Sequence, residues 1–77
     1  MDDIQQKVTD LIVTQFGVER DAITPVTRFR EDLAADSIDA ADLIVSIEEF
    51  FGIEIDDKAV AEISTVGEMV EFIKTKR

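Results

Sequence analysis

A single serine stands between two aspartates at the start of an apolar run, in the stretch DLAADSIDAADL that covers residues 32 to 43. A serine hydroxyl can act as a nucleophile or as an attachment point, and serine is also common in the first turn of a helix. Nucleophilic catalysis needs an activating base, and the chain has no histidine to activate Ser37. The carboxylates of Asp36 and Asp39 lie at an exposed helix start, a poor environment for acid–base catalysis. We therefore expect no catalytic residue.

The acidic residues around Ser37 are also poor candidates for a calcium site. An EF-hand loop needs a glycine at its sixth position. A loop starting at Asp32 would place Ser37 there, and one starting at Asp36 would place Ala41 there. The chain has no cysteine or histidine, and its three glycines stand apart, so zinc ligands, disulfides and a glycine-rich phosphate loop are absent. We expect no metal site.

The net charge of −10 is concentrated in one part of the chain. Residues 31–62 contain eleven acids and one base, Lys58, whereas acids and bases balance in the remainder. Such a charge excludes ordinary nucleic-acid binding, which requires Lys and Arg on phosphates. The acidic half is typical either of a surface kept for solubility or of a docking face for basic partners. Composition alone favours the first and leaves the second open.

Hydrophobic spacing predicts an all-α fold in one domain covering residues 1–77. We expect a small four-helix bundle of three main helices and one short helix, with a long loop at residues 18–35 between the first two helices. No apolar run approaches the roughly 18 residues of a membrane span, and the amino terminus lacks a secretory signal. The expected protein is therefore soluble and cytoplasmic. Capping residues mark the helix boundaries: Gly17 after the first helix, Asp36 and Gly52 around the second, Asp56 before the third, and Thr65 with Glu68 opening the fourth.

The second predicted helix carries two apolar faces. At about 100° per residue, one face gathers the residues expected in the core, namely Ala40, Leu43, Ile44, Ile47, Phe50 and Phe51. Ile38, Ala41 and Val45 fall on another side, next to Ser37 and bordered by Asp42 and Glu49. Scattered exposed aliphatics are normal on any protein. An apolar strip with an acidic border is nevertheless typical of a helix that binds a partner.

The stretch FREDLAADSIDAADL resembles the attachment motif of acyl carrier proteins, written F-x-x-D-L-G-A-D-S-L-D. The matching residues are Phe29, Asp32, Leu33, Ala35, Asp36, Ser37 and Asp39. The resemblance extends over nearly the whole chain and includes the segments FGV, EEFFGIEI and ISTVGEMVEFI.

The resemblance implies that Ser37 carries 4′-phosphopantetheine, which a phosphopantetheinyl transferase supplies from coenzyme A. The chain would then hold acyl groups as thioesters and shuttle them between enzymes, as a free-standing, monomeric carrier of fatty acid synthesis would. A specialised carrier for polyketides, modified lipids or amino acids is the alternative within the class. An acidic adaptor without a covalent arm is the alternative outside it.

Two further sets of residues follow from the resemblance. The first is expected to contact the basic surfaces of the transferase and of acyl-handling synthases: Asp36, Ile38, Asp39, Ala41, Asp42, Val45, Glu48 and Glu49. The second is expected to line a pocket for the acyl chain between the second and third helices: Leu43, Ile44, Ile47, Ile55, Val60 and Ile63.

The chain departs from the motif at two positions. Ile38 replaces leucine and keeps an aliphatic side chain. Ala34 replaces glycine, and because alanine disfavours positive φ, we expect the backbone there to lie in an ordinary region.

Overall fold

The computed structural model of the chain describes residues 3–76, and Met1, Asp2 and Arg77 lie outside it. Four α-helices follow one another: α1 (Asp3–Phe16), α2 (Ser37–Phe51), α3 (Asp57–Glu62) and α4 (Val66–Lys76). The described residues form no strand, and their extended segments meet only in an isolated bridge between Arg28 and Thr65. The predicted all-α fold with three main helices and one short helix is confirmed.

Local side-chain chemistry sets the boundaries of α2 and α3. Asp36 Oδ1 accepts the Asp39 backbone N–H at 2.9 Å, and Asp56 Oδ1 accepts the Ala59 backbone N–H at 2.8 Å. Each bond satisfies one of the N–H groups that a helix start leaves without an intrahelical partner. Gly52 ends α2 in the left-handed conformation, with φ of 66°. These predicted caps are confirmed.

The predicted capping box of α4 is also present. Thr65 Oγ1 accepts the Glu68 backbone N–H at 3.1 Å, and Glu68 Oε1 accepts the Thr65 backbone N–H at 3.0 Å. The same carboxylate oxygen accepts the Ser64 hydroxyl at 2.7 Å and the Ser64 backbone N–H at 2.8 Å. These bonds, the Ser64 hydroxyl foremost, hold the pKa of Glu68 below its ordinary value because they favour the ionised carboxylate.

The core is formed by α1, α2 and α4, with α1 packed against both of the others. Helix α3 contributes no fully buried residue. The buried apolar residues are Val8, Ile12, Leu43, Ile47, Ile55, Val66, Met69, Val70 and Ile73. A core drawn from three helices and one linker residue leaves α3 as the most weakly anchored helix.

The long loop between α1 and α2 is anchored on the start of α4. The Gly67 backbone N–H donates to Pro25 O at 2.8 Å, the Val66 N–H donates to Thr27 O at 2.9 Å, and Thr27 is buried. A Cβ at Gly67 would lie 2.7 Å from Pro25 O, so glycine permits this close approach. The loop also contains a short 3₁₀ helix, Arg20–Ala22, that was not predicted.

One predicted core residue is wrong. Phe50 is 55 % exposed, whereas its neighbour Phe51 is half-buried. Phe50 lies at the edge of the buried stripe of α2. Lys7 of α1 lies over its ring there, with Nζ 5.9 Å from the ring centroid. The Phe51 ring meets it edge to face at 5.1 Å between centroids. Helical spacing places Phe50 on the core side of α2, but it does not show which residues of α1 lie opposite.

Candidate functional site

Ser37 is the first residue of α2 and is exposed. Its hydroxyl makes no hydrogen bond within residues 3–76, and the backbone N–H groups of Ser37 and Ile38 also have no acceptor there. Asp36 satisfies only the N–H of Asp39. The helix therefore starts with a free hydroxyl beside two free donors, an arrangement that suits an anionic group joined to the serine oxygen.

The loop before Ser37 is held by Arg28 and Asp32. Asp32 Oδ2 accepts the Arg28 backbone N–H at 2.8 Å and its Nε–H at 3.3 Å, while Arg28 O accepts the Asp32 N–H at 2.9 Å. The backbone hydrogen bond from Arg28, followed by that from its side chain, lowers the pKa of Asp32. The motif's first aspartate thus closes a turn at the entrance to the site.

A second turn brings the chain back to the start of α2. The Ala35 N–H donates to Phe29 O at 3.0 Å, and the intervening Ala34 has φ of 53°. The expectation that Ala34 would lie in an ordinary backbone region is therefore wrong. The turn requires a left-handed residue at this place, and alanine adopts that conformation at a cost of roughly 1–2 kcal/mol.

A cavity of about 650 Å³ lies beside Ser37. The polar residues of its lining are Arg30, Glu31, Asp36, Ser37 and Ser64. Its apolar lining consists of Phe16, Phe29, Ala35, Ala40, Leu43, Ile44, Val60, Ala61, Ile63 and Met69. Among the described residues, no buried side-chain nitrogen or oxygen lacks a hydrogen-bond partner. An apolar group could therefore occupy the cavity without leaving a buried polar atom unpaired.

The cavity brings together four of the six residues predicted for the acyl pocket: Leu43, Ile44, Val60 and Ile63. Ile47 and Ile55 do not line it and are buried in the core. Sequence reasoning missed Phe16, Phe29 and Met69. Phe16 belongs to α1, Phe29 to the loop and Met69 to α4, and only the packing of these segments together reveals the shared wall.

The residues predicted to bind partners differ in their exposure, and most of them are exposed. Ile38 is 72 % exposed and Val45 is 49 % exposed, and the neighbouring Ala41, Asp42 and Glu49 are exposed as well. Asp36 is also exposed, although one of its oxygens caps α2.

Two predicted partner-binding residues also have structural roles. Glu48 is half-buried, and its Oε2 accepts the Ile55 backbone N–H at 2.7 Å. Its carboxylate is therefore committed to the connection between α2 and α3. Asp39 is half-buried, and its carbonyl oxygen accepts Gln15 Nε2 at 2.8 Å, which ties α1 to the first turn of α2.

The structure also bears on metal binding and on membrane insertion. Within residues 3–76, no group of three or more acidic side chains is arranged to hold a metal ion. None of the described helices combines the length and the apolar composition needed to cross a membrane.

Comparison with known proteins gives consistent results. The chain matches the family model of the phosphopantetheine attachment site over residues 6–73. It is similar to the acyl carrier protein from Enterococcus faecalis, with a TM-score of 0.84 and 35 % identity over 97 % of this chain and 95 % of that one. A protein from Anaplasma phagocytophilum, provisionally assigned as an acyl carrier protein, gives a TM-score of 0.89 and 26 % identity over 96 % of this chain and 88 % of that one.

The family model covers most of the chain, including the free serine and the helix that follows it. Both structural matches extend over nearly the full length, so the likeness concerns the whole fold as well as the motif. The chain belongs to the acyl carrier proteins, the non-catalytic carriers whose prosthetic group is 4′-phosphopantetheine.

Proposed function

We propose that Ser37 carries the phosphopantetheine arm and that the chain shuttles acyl groups between enzymes of fatty acid synthesis or a related pathway. The observation that carries this proposal is the free Ser37 hydroxyl at the edge of an apolar cavity. Ser64 lines the same cavity, but its hydroxyl donates to Glu68 at 2.7 Å. A hydroxyl that has no hydrogen-bond partner within residues 3–76 is the better acceptor of a new covalent bond.

Attachment requires little of the chain beyond an accessible oxygen. A transferase joins Ser37 Oγ to the phosphorus that bears pantetheine in coenzyme A, while the hydroxyl proton and adenosine 3′,5′-bisphosphate leave. The free N–H groups of Ser37 and Ile38 favour the resulting anion. Once attached, phosphopantetheine supplies the thiol that a chain without cysteine lacks.

The cavity supports a place for the cargo. Leu43 and Ile44 of α2 line it together with Val60 and Ile63, so an acyl chain there would contact both α2 and the α3 region. Each buried methylene contributes about 0.8 kcal/mol, and a chain of several carbons would offset the cost of displacing neighbouring side chains. Ile47 and Ile55 would support this wall from the core and would not contact the cargo.

The exposed face of α2 supports docking of basic partners. Ile38, Ala41 and Val45 provide apolar contact, and Asp42 and Glu49 lie exposed beside them. Opposite charges steer association, and apolar contact within the charged border contributes affinity. Asp36 and Asp39 extend the acidic border, whereas Glu48 is better explained by its bond to Ile55.

Modification of Ser37 is tested by intact-mass measurement. We expect the wild-type protein to gain one phosphopantetheine when incubated with coenzyme A, magnesium and a broad-specificity phosphopantetheinyl transferase. Ser64→Ala should gain it too, whereas Ser37→Ala should gain none while keeping its helical circular dichroism. Refusal of the arm by wild type with several transferases, or labelling that persists in Ser37→Ala, would favour the adaptor without a covalent arm.

Docking is tested by measuring the rate at which the protein associates with a partner enzyme, such as the phosphopantetheinyl transferase, at low and high salt. Asp42→Lys should slow association chiefly at low salt, because charges are screened beyond about 10 Å at 0.1 M ionic strength. Asp21→Lys, an exposed control in the 3₁₀ helix, should have a smaller effect. Val45→Asp should weaken binding with a milder salt dependence. If Asp42→Lys and Asp21→Lys behave alike, the acids serve solubility and the docking proposal is wrong.

The pathway, a monomeric state and a cytoplasmic location stay predictions. Transfer assays with fatty-acid synthases, compared with polyketide and aminoacyl-loading enzymes, would separate the primary carrier from the specialised ones.

A further inference from the structure

Arg30 occupies an unusual place in this acidic protein. It lines the cavity with Ser37, and it is the only base among the described residues that do so. The two acids of the same lining already have partners: Glu31 lies 3.4 Å from Arg28 Nε, and Asp36 caps α2. Arg30 itself forms no ion pair within residues 3–76. Arg30 is therefore the one cation of this lining, and no carboxylate pairs with it within residues 3–76.

The backbone of the loop determines why Arg30 is close to the attachment region. The hydrogen bond from Ala35 N–H to Phe29 O closes the segment between them. Arg30 follows the acceptor of that bond directly, and Ser37 lies two residues after its donor. The Phe29 N–H in turn donates to Ser64 O at 3.1 Å, and Ser64 also lines the cavity. Backbone bonds therefore hold Arg30 in the loop that leads into α2, on the same cavity as Ser37, independently of its own side chain.

A group attached to Ser37 would enter the most acidic part of the chain. A phosphodiester carries a single negative charge, and Asp36 and Asp39 flank the serine to which it would be joined. Repulsion between the phosphodiester and these two carboxylates destabilises the attached form. The free N–H groups of the helix start compensate for this repulsion only in part. A guanidinium offers paired donors that fit phosphate oxygens, and Arg30 is the residue placed to present them.

We propose that Arg30 is a positioning residue that binds the phosphodiester of the arm and so orients the arm toward the cavity. This inference rests on the proposed attachment at Ser37 and concerns the chain's own recognition of the attached group. It predicts that the Arg30 guanidinium senses the arm, and that the arm costs more stability when Arg30 is absent.

The first test compares the unmodified and modified proteins by nuclear magnetic resonance, with modification of Ser37 verified by mass. We expect the Arg30 Nε–Hε resonance to shift when the arm is attached, and that of Arg20, which pairs with Asp10, to stay in place. The ³¹P resonance of the arm should differ between wild type and Arg30→Gln. Lys58→Gln removes the same charge from α3 without touching the cavity, and its ³¹P resonance should match wild type.

The second test measures the change in melting temperature on attachment. The arm should lower the melting temperature of Arg30→Gln by about 2 to 4 °C more than that of wild type, the size expected of one exposed charge pair in so small a domain. Lys58→Gln should behave as wild type, and Arg30→Lys should recover part of the difference. The difference should close in 1 M salt, where screening acts within about 3 Å.

The outcomes separate the two proposals. If mass shows no modification of Ser37, the attachment proposal fails. If Ser37 is modified but the Arg30 resonance does not move, and Arg30→Gln and Lys58→Gln give the same ³¹P signal and the same melting difference, Arg30 has no part in holding the arm.

Discussion

Replacing Ala34 with glycine should stabilise this protein, although glycine usually weakens a fold. Ala34 has φ of 53°, a conformation in which an L-residue brings Cβ close to the following carbonyl oxygen. Glycine has no Cβ and adopts this region freely. Ala34 is exposed, so its methyl group buries little surface. The substitution therefore tests the backbone conformation and hardly disturbs packing.

Two opposing contributions set the size of the effect. Relief of the left-handed conformation favours glycine by roughly 1–2 kcal/mol. The greater freedom of glycine in the unfolded chain opposes it by about 0.5–1 kcal/mol. The middle values of the two ranges leave a net gain in the free energy of unfolding of about 0.5–1 kcal/mol. In a domain of this size, such a gain raises the melting temperature by about 2 to 8 °C.

Thermal and urea denaturation followed by circular dichroism would measure this gain. Ala41→Gly is the matched control, because Ala41 is also exposed but lies inside α2. Glycine in a helix interior costs about 0.5–1 kcal/mol relative to alanine, so the control should melt lower. The same chemical change should thus have opposite signs at the two positions. Ala34→Val should be worse than alanine, since a β-branched residue tolerates positive φ least.

A loss of stability in Ala34→Gly comparable to that in Ala41→Gly would refute the reasoning. It would mean that Ala34 lies in an ordinary backbone region in solution, and that the turn closed by the Ala35–Phe29 bond is formed otherwise. An unchanged urea m-value would show that the comparison concerns the same folding transition.

Three other predictions follow from contacts near the site. Gly67→Ala should lower the free energy of unfolding by about 1–3 kcal/mol in urea titrations, because its Cβ would meet Pro25 O at 2.7 Å; a gain, as helix propensity alone predicts, would contradict this contact. Since its folded-state pKa is depressed, Glu68 contributes stability that is present above its ordinary pKa and lost as pH falls through the lower folded value. Melting temperature should therefore fall less steeply below about pH 4.5 in Glu68→Gln than in wild type, and parallel curves would argue against the effect. Acylated protein should melt higher with each added carbon until the cavity is full, and Ile44→Phe should shorten the chain at which this gain stops; a melting temperature independent of chain length would place the cargo in solvent.

The helices and their ends were predictable because their causes are local. A cap such as Asp36, or the pair Thr65 and Glu68, acts on backbone groups within three residues, so the sequence alone contains the whole interaction. The exposed strip of α2 was predictable for the same reason, since helical periodicity places Ile38 and Val45 away from the core.

The features that were missed lie in the long loop, where contacts between its own segments and with α4, and not helical periodicity, set the backbone. Ala34 is left-handed because a bond between Ala35 and Phe29 requires a turn, and residue preference alone argued for the opposite. Nothing in the sequence singles out Arg30, because its importance comes from lining the same cavity as Ser37. Such relations need the path of the loop, and that path depends on the contact between Gly67 and Pro25.

In the proposed function, Ser37 would be a fixed attachment point, and one wall of the cavity would be able to move. Ser37 begins a helix whose Leu43 and Ile47 are buried in the core, and the loop before it is anchored on α4. Helix α3 has six residues, none fully buried, and is therefore the part of the cavity wall that moves at the lowest cost. The exposed strip of α2 lies on the opposite side of α2 from the residues that line the cavity. If the proposed function is right, cargo of different length would displace α3 while Ile38 and Val45 keep their positions, so a partner enzyme would meet the same surface whatever the acyl chain.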